Sequence, residues 1–199
     1  MIGNKLGHRL DTILALVARI LFGKNVNPHV LTLTGLAINL GAGYCLGIGY
    51  WVSGGVLILV AGLFDLMDGA VARQYNKVST FGGFLDSVID RYSDSVLLIG
   101  IIWYYGTRQD QGSVLLACAV LMGSMLIPYS RAKAEIFLER CNIGLMERAE
   151  RTILLSLGSI FNLMTPVLWL LAACTHITVL QRIHYTWKRM RQSEEHVIK

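Results

Sequence analysis

The stretch DLMDGAVARQYNKVSTFGGFLDSVID, from Asp65 to Asp90, lies between two strongly apolar runs of the chain. It contains four aspartates in two pairs, Asp65 with Asp68 and Asp86 with Asp90. Residues three or four positions apart share one face of a helix, so each pair projects from one side of its helix. Ionisable side chains are costly in a membrane segment and indicate a functional site there. This stretch therefore predicts a polar site at the junction of two membrane helices.

The chemistry of four neighbouring carboxylates favours a divalent cation. Their charges repel one another unless a cation neutralises them, and Mg²⁺ and Ca²⁺ prefer oxygen ligands. Gly69 and Ala72 keep the helix that bears the first pair narrow, and Gly82 does the same where the next helix begins. A phosphate group or a ligand backbone is therefore able to approach the carboxylates closely.

The composition of the whole chain is that of an integral membrane protein. Its 199 residues are 54% hydrophobic and only 16% charged, with a mean hydropathy of +0.52. Soluble domains carry about 25% charged residues. The net charge of +5 is interpreted as anchoring to anionic lipid headgroups on the cytoplasmic side. No RNA-binding or helix-turn-helix signature is present, so nucleic acid is not an expected partner.

The cysteines and histidines do not suggest a metal site. The cysteines are scattered along the chain: Cys45, Cys118, Cys141 and Cys174. Their separation favours neither a zinc site nor a disulfide framework. No histidine lies in or beside the aspartate stretch. Three histidines are accordingly interpreted as interfacial or packing residues: His29, His176 and His184.

Hydropathy predicts an all-α membrane protein with six transmembrane helices after an N-terminal interfacial helix. Residues 1–24 are amphipathic and interrupted by charges. They are therefore expected to lie in the membrane interface rather than to form a cleavable signal, with a soluble cap helix as the alternative. Residues 25–199 form the six-helix domain. The predicted spans are Pro28–Tyr50, Gly55–Arg73, Thr80–Tyr105, Ser113 past Pro128 to Glu135, Met146–Phe161 and Val167–Leu180, followed by a basic tail, Arg182–Lys199.

The distribution of basic residues predicts the orientation of these spans. One set of loops is rich in lysine and arginine: Lys24, Arg73, Lys77, Arg131, Lys133, Arg140, Arg148, Arg151 and the tail. The opposite loops contain only Arg108. Basic loops remain in the cytoplasm, so both termini and the aspartates are predicted at the cytoplasmic face of a multi-pass protein of the cell membrane.

The aspartate stretch also resembles the signature of a known family. The pattern Asp65-x2-Asp68-Gly69-x2-Ala72-Arg73-x8-Gly82-x3-Asp86-x3-Asp90 is similar to that of the CDP-alcohol phosphotransferases, with all eight positions present. In this family a CDP-activated lipid donates its phosphatidyl group to an alcohol and CMP leaves. The resemblance implies two divalent cations, Mg²⁺ or Mn²⁺, bound by Asp65, Asp68, Asp86 and Asp90. It also implies that Asp90 is the general base.

The resemblance further implies a site for the CDP-lipid. Its residues are Thr32, Asp65, Asp68, Gly69, Ala72, Arg73 and Gly82. Thr32 comes from a partial match, because the segment Asn27-Pro28-His29-Val30-Leu31-Thr32 has the family's Pro-Asn order reversed. Arg73 alternatively serves as a positive-inside anchor. The donor is CDP-diacylglycerol or a CDP-archaeol-type lipid.

Two basic segments bear on the acceptor alcohol. They are Ser130-Arg131-Ala132-Lys133-Ala134-Glu135 and Glu147-Arg148-Ala149-Glu150-Arg151, at the cytoplasmic ends of neighbouring predicted spans. They resemble segments of the phosphatidylinositol phosphate synthases and their archaeal counterparts, which take inositol 1-phosphate. The resemblance implies that the acceptor phosphate binds Ser130, Arg131, Lys133, Arg148 and Arg151. Positive-inside anchoring, with Glu147 and Glu150 pairing locally, is the alternative.

Other functions stay open at this point. A phosphatidylglycerophosphate synthase has the same aspartates and also needs a basic pocket, for glycerol 3-phosphate. A divalent-cation transporter is disfavoured because the aspartates are predicted at one membrane face rather than at the centre. The complete set of four aspartates argues against an inactive relative. The family resemblance also implies a homodimer.

Overall fold

The structure, a computed structural model, describes residues 12–14, 16–20 and 27–197. These residues are helical or in short connections, and none of them forms a strand. The main helices are α1 (Pro28–Gly47), α2 (Trp51–Gln74), α3 (Thr80–Thr107), α4 (Gln111–Ala134), α5 (Arg148–Ile160) and α6 (Met164–Val197). The predicted all-α class is confirmed. The predicted basic tail continues the last helix as far as Val197.

Several helices begin at residues whose side chains cap them. Asn27 accepts a hydrogen bond from the His29 amide at 3.1 Å, and Pro28 occupies the first turn of α1. Ser79 caps α3 by accepting from the Gly82 amide at 3.0 Å. Asp110 caps α4 by accepting from the Ser113 amide at 3.1 Å, and hydrogen bonds from the Ser113 hydroxyl and amide lower the pKa of the Asp110 carboxyl. These caps set where α1 and α3 start, and hence where their polar residues lie.

Four helical segments are long and apolar enough to cross a membrane, as expected for a multi-pass membrane protein. They are Pro28–Gly47, Trp51–Gln74, Gln111–Ala134 and Met164–Gln192. Helix α3 has 28 residues, but Asp86, Asp90, Arg91 and Asp94 make its first half polar. Helix α5 has only 13 residues. At 1.5 Å per residue it is about 20 Å long, shorter than the bilayer core of about 30 Å.

Most of the predicted interfacial helix, residues 1–24, lies outside the described residues. Within its described part, Ala18 is buried against a small apolar cluster that includes Leu31 of α1 and Met67 of α2. Leu16 and Ile20 are exposed. This segment therefore packs beside the ends of α1 and α2 that lie next to the aspartates.

Helix packing brings α2 and α3 together around α1. Helix α1 packs against both α2 and α3, α5 packs against α2, and α6 packs against α4 and α5. The α1–α3 contact is especially close, because a Cβ atom on Gly100 would overlap the backbone carbonyl of Gly43. Apolar side chains from all six helices, among them Leu46, Ile58 and Leu97, form the main core. Helix α1 is thereby packed against both the helix that bears Asp65 and Asp68 and the helix that bears Asp86 and Asp90.

Candidate active site

The four predicted aspartates form one cluster between α2 and α3. Asp68 interacts electrostatically with Asp65 and Asp86, and Asp90 with Asp65 and Asp86. The cluster is partly shielded from solvent, since Asp68 is 7% exposed and the Asp65 and Asp90 side chains are 18% and 20% exposed. The two helical pairs predicted from spacing therefore converge on a single site.

Arg148 at the start of α5 bridges the two aspartate pairs. Its Nη1 atom lies 2.5 Å from Asp65 Oδ2 and 2.8 Å from Asp90 Oδ1. Its Nε atom lies 3.5 Å from Asp94 Oδ1 and makes no hydrogen bond with any residue that the structure describes. One guanidinium group thus links three helices.

Asp94 is a site residue that sequence reasoning missed. It lies one helical turn beyond Asp90 and continues the spacing of Asp86 and Asp90 along α3. Its Oδ2 atom accepts a hydrogen bond from Arg151 Nη2 at 2.6 Å, and both side chains are buried. The continued four-residue spacing was the signal that could have revealed it.

A cavity of about 360 Å³ opens beside the cluster, between the starts of α1 and α3 and the end of α2. We call it the Thr32 cavity. Thr32 Oγ1 donates a hydrogen bond to Asp68 Oδ2 at 2.6 Å and also lies 3.1 Å from the Pro28 carbonyl oxygen. The lining includes six of the seven residues predicted for the CDP-lipid: Thr32, Asp68, Gly69, Ala72, Arg73 and Gly82. Asp65 lies outside this lining and pairs with Arg148. His29, Lys77 and Asp86 also line the cavity, without having been predicted for this role.

A second cavity, of about 420 Å³, lies among α3, α4, α5 and α6. Its charged lining consists of four carboxylates, those of Asp90, Asp94, Glu135 and Glu147, and five arginines: Arg91, Arg131, Arg148, Arg151 and Arg182. We call it the arginine-lined cavity. It contains three of the residues predicted for the acceptor phosphate, Arg131, Arg148 and Arg151.

The other two predicted acceptor residues do not line this cavity. Ser130 Oγ donates to the Ile127 carbonyl at 3.0 Å. The Lys133 Nζ atom lies 6.0 Å from the centre of the Tyr129 ring. Lys133 is two positions from Arg131, and helix residues at that spacing face different directions.

Arg182 was assigned to the basic tail but belongs to the wall of the arginine-lined cavity. It is 2% exposed. Its Nε atom donates to the Ile143 carbonyl at 2.8 Å, and its Nη1 atom donates to the Ile127 carbonyl. These backbone acceptors hold the guanidinium in place. The sequence signal was weak, consisting only of a cation just after the last apolar run.

Arg131 is held at the rim of the cavity by two partners. Its Nε atom lies 3.0 Å from Glu135 Oε1, and its Nη2 atom donates to Asn142 Oδ1 at 3.0 Å. The hydrogen bond from Arg131 lowers the pKa of the Glu135 carboxyl, so Glu135 remains ionised. The pairing directs the guanidinium without burying it.

The charge balance of the cluster fits divalent cations. Asp65, Asp68, Asp86 and Asp90 formally contribute four negative charges, and the bridging Arg148 returns one positive charge. Oxygen donors with surplus negative charge are the ligands that Mg²⁺ and Mn²⁺ prefer. Among the described residues, however, no three acidic, histidine or cysteine side chains are placed as a metal-binding group. The carboxylates have the right chemistry, but Asp65 and Asp90 are arranged around a guanidinium.

Membrane helices with clustered aspartates beside two polar cavities define a membrane enzyme with an acidic centre, and comparison with known proteins identifies its class. The sequence profile described as CDP-alcohol phosphatidyltransferase matches residues 25–187. The chain therefore belongs to the CDP-alcohol phosphatidyltransferase family. The family resemblance of the Asp65–Asp90 stretch and the prediction of an enzyme are both confirmed.

Individual relatives and solved structures are similar over most of the chain. The archaetidylinositol phosphate synthase of Pyrococcus horikoshii is 35% identical over 188 residues, covering 94% of this chain and 97% of that protein. The phosphatidylinositol phosphate synthase of Mycobacteroides abscessus is 32% identical over 177 residues, or 84% and 80% of the two chains. The Mycobacterium tuberculosis phosphatidylinositol phosphate synthase with CDP-DAG bound superposes with a TM-score of 0.81 at 29% identity, covering 88% and 94%. The same enzyme in complex with manganese and citrate has a TM-score of 0.81 at 30% identity, covering 87% and 88%.

Proposed function

We propose that this protein transfers the phosphatidyl-type group of a CDP-activated lipid to inositol 1-phosphate and releases CMP. The observation that carries the proposal is the arginine-lined cavity, whose lining contains the Asp90 carboxylate together with five arginines. Arginine binds phosphate oxygens bidentately, so this cavity suits an acceptor that bears a phosphate group better than an uncharged alcohol. Relatives named as phosphatidylinositol and archaetidylinositol phosphate synthases support the same acceptor.

The CDP-lipid is assigned to the Thr32 cavity. Thr32 holds the Asp68 carboxylate in one orientation through its 2.6 Å hydrogen bond. Gly69 leaves room for the Arg73 guanidinium, because a Cβ atom at Gly69 would lie 3.1 Å from Arg73 Nη1. Both Gly69 and Arg73 line the Thr32 cavity, where the diphosphate of the donor is assigned. The bound structure of the Mycobacterium tuberculosis relative supports a CDP-lipid donor.

Asp65, Asp68, Asp86 and Asp90 are proposed to hold two divalent cations, Mg²⁺ or Mn²⁺. The surplus of carboxylates and the manganese complex of a relative support this assignment. When bound, such cations neutralise the diphosphate and stabilise the departing CMP. The carboxylates supply the oxygen ligands, and the hydrogen bond from Thr32 fixes one of them.

Asp90 is proposed as the general base. Its carboxylate belongs to the aspartate cluster and also lines the arginine-lined cavity, where the acceptor is assigned. The acceptor hydroxyl oxygen forms a bond to the β-phosphorus of the donor, the bond from that phosphorus to the CMP oxygen breaks, and Asp90 receives the hydroxyl proton. Asp94, one helical turn after Asp90, stays paired with Arg151, whose Nη2 atom lies 2.6 Å from Asp94 Oδ2.

In the membrane, α3 and α5 are proposed to complete a six-helix bundle with the four apolar segments. The aspartate cluster then lies at the cytoplasmic face, with both termini on that side. An aromatic cluster at the opposite end, where Trp51 stacks edge-on with Tyr104 at 4.6 Å, fits the second membrane interface. The orientation itself is supported by the basic residues of the loops on the aspartate side. The family resemblance supports a homodimer, which light scattering in detergent would test.

The test is CMP release by the purified full chain with CDP-diacylglycerol and Mg²⁺. Inositol 1-phosphate, inositol and glycerol 3-phosphate are offered in parallel, with chelated metal and heat-inactivated protein as controls. Release only with inositol 1-phosphate is expected. Release only with glycerol 3-phosphate would keep the aspartate chemistry and replace the acceptor. A CDP-archaeol-type donor in a second series distinguishes the donor tails.

A further inference from the structure

Arg148 is held by two of the carboxylates proposed to bind metal. Its Nη1 atom contacts Asp65 at 2.5 Å and Asp90 at 2.8 Å, one from each aspartate pair. A divalent cation held by both pairs would draw on these same two carboxylates. A guanidinium nitrogen and a cation do not occupy this position together, because their positive charges repel one another at such a distance.

Neighbouring arginines of the same cavity are held differently. Arg151 pairs with Asp94 at 2.6 Å, and Arg182 donates to the backbone carbonyls of Ile143 and Ile127. Neither arrangement uses a proposed metal ligand. In the same arrangement the Arg148 Nε atom lies 3.5 Å from Asp94 Oδ1. Asp94 is not a proposed metal ligand, so this partner remains if the contacts to Asp65 and Asp90 are lost.

We propose that Arg148 is an exchangeable counter-ion of the aspartate cluster. It bridges Asp65 and Asp90 while no divalent cation is bound, and it leaves them when a cation takes their oxygens. The released guanidinium stays next to Asp94 in the arginine-lined cavity, where it contacts the acceptor phosphate. Metal binding thereby prepares the acceptor site, and the acceptor binds after the metal. This inference rests on the proposed metal site.

Replacing Arg148 with an uncharged residue should strengthen metal binding, because it removes the guanidinium that competes with the metal for Asp65 and Asp90. The Arg148→Gln variant should bind Mn²⁺ more tightly than the wild type, by at least about fivefold, the lower end of usual coupling between two bound species. The readout is free Mn²⁺ followed by electron paramagnetic resonance in detergent, without turnover. Loss of a merely structural contact would weaken Mn²⁺ binding, so the direction of the change separates the two roles.

The matched control is Arg131→Gln. It removes the same charge from the same cavity, but Arg131 contacts Glu135 and Asn142 rather than the aspartate cluster. Its Mn²⁺ affinity should stay close to that of the wild type. An equal or weaker Mn²⁺ affinity in Arg148→Gln overturns the exchange. An equal tightening in both variants also overturns it, because the effect would then be one of general charge.

A measurement on the wild type does not depend on the folding of any variant. Because coupling between two ligands is reciprocal, Mn²⁺ should raise the affinity for inositol 1-phosphate, and inositol 1-phosphate should raise the affinity for Mn²⁺ by the same factor. Independent binding of the two overturns the exchange. Failure of the metal site itself looks different: either the wild type binds no Mn²⁺, or Asp65→Asn and Asp90→Asn bind it as well as the wild type does.

Discussion

The Asp90 carboxylate lies where the aspartate cluster meets the arginine-lined cavity, 2.8 Å from Arg148. We expect Asp90→Asn to retain binding of the CDP-lipid, because Asp90 does not line the Thr32 cavity, whereas Asp68 and Asp86, two other proposed metal ligands, do. Turnover should fall by at least about 10²–10⁴-fold, the usual contribution of a general base. CMP release and donor binding by calorimetry measure the two effects. Turnover near the wild-type rate would remove Asp90 from the role of base.

Thr32 supplies a hydrogen bond to a carboxylate that is nearly inaccessible to solvent. Thr32→Val keeps the shape of the side chain but leaves Asp68 without this donor, which should weaken donor binding by about 1–3 kcal/mol. Thr34→Val is the matched control in the same helix, because Thr34 donates to the Val30 carbonyl and, two positions from Thr32, lies on a different face of the helix. Equal losses of donor affinity in both variants would show that the effect belongs to α1 as a whole.

Substitutions of Arg131 and Lys133 test which basic side chains bind the acceptor phosphate. Arg131 lines the arginine-lined cavity, and Lys133 does not. Arg131→Ala should raise the KM for inositol 1-phosphate by about tenfold, equivalent to about 1.4 kcal/mol, with a smaller effect on kcat. Lys133→Ala should leave this KM near the wild-type value. A larger effect at Lys133 would instead favour the assignment made from the sequence alone.

At the scale of the elements, the contact between α1 and α3 fixes the position of the helix that carries Asp86 and Asp90. A methyl group at Gly100 would overlap the Gly43 carbonyl, so Gly100→Ala forces the helices apart. We expect a loss of about 1–3 kcal/mol in stability, the usual cost of overpacking, together with reduced activity. Thermal unfolding in detergent measures the first effect.

Gly106→Ala is the control for this contact. Gly106 lies in the same helix, and a Cβ atom there meets nothing within 4 Å. Its melting temperature should match or slightly exceed that of the wild type, because alanine favours a helix over glycine. Equal destabilisation by the two substitutions would mean that helix propensity, rather than the α1–α3 contact, controls stability.

The first turn of α5 shows how a local signal positions the site. Glu147 and Glu150 form a capping box, in which the Glu147 amide donates to Glu150 Oε2 at 3.0 Å. The two glutamates thus cap the helix rather than neutralise its arginines. Arg148 and Arg151, three positions apart, are left to face the carboxylates of α2 and α3.

For the whole molecule, the proposed orientation is testable without an activity assay. The loop at Gln109 should face away from the cytoplasm, and the turn at Asn76 should face the cytoplasm. A membrane-impermeant thiol reagent should label Gln109→Cys in intact cells and Asn76→Cys only after permeabilisation. The unsubstituted chain, with its four native cysteines, provides the background. The reverse labelling pattern would mean that the protein has the opposite orientation and that the aspartates do not face the cytoplasm.

The sequence by itself determined the family, the all-helical class and the chemistry of the site. These depend on local properties: the apolar runs and the spacing of Asp65, Asp68, Asp86 and Asp90. Each acts within a few turns of one helix, so the linear pattern contains it. The membership of Arg131, Arg148 and Arg151 in one cavity was also anticipated, because their segments end at the same membrane level.

Only the tertiary structure decided which side chains meet. The rotation of each helix about its axis places Arg182 and Asp94 in the wall of the arginine-lined cavity and turns Ser130 and Lys133 away from it. That rotation is set by contacts between helices distant in sequence, such as Gly43 with Gly100. The bridge from Arg148 to Asp65 spans 83 positions of the chain. No local spacing encodes such a contact, because it exists only when α2, α3 and α5 are packed together.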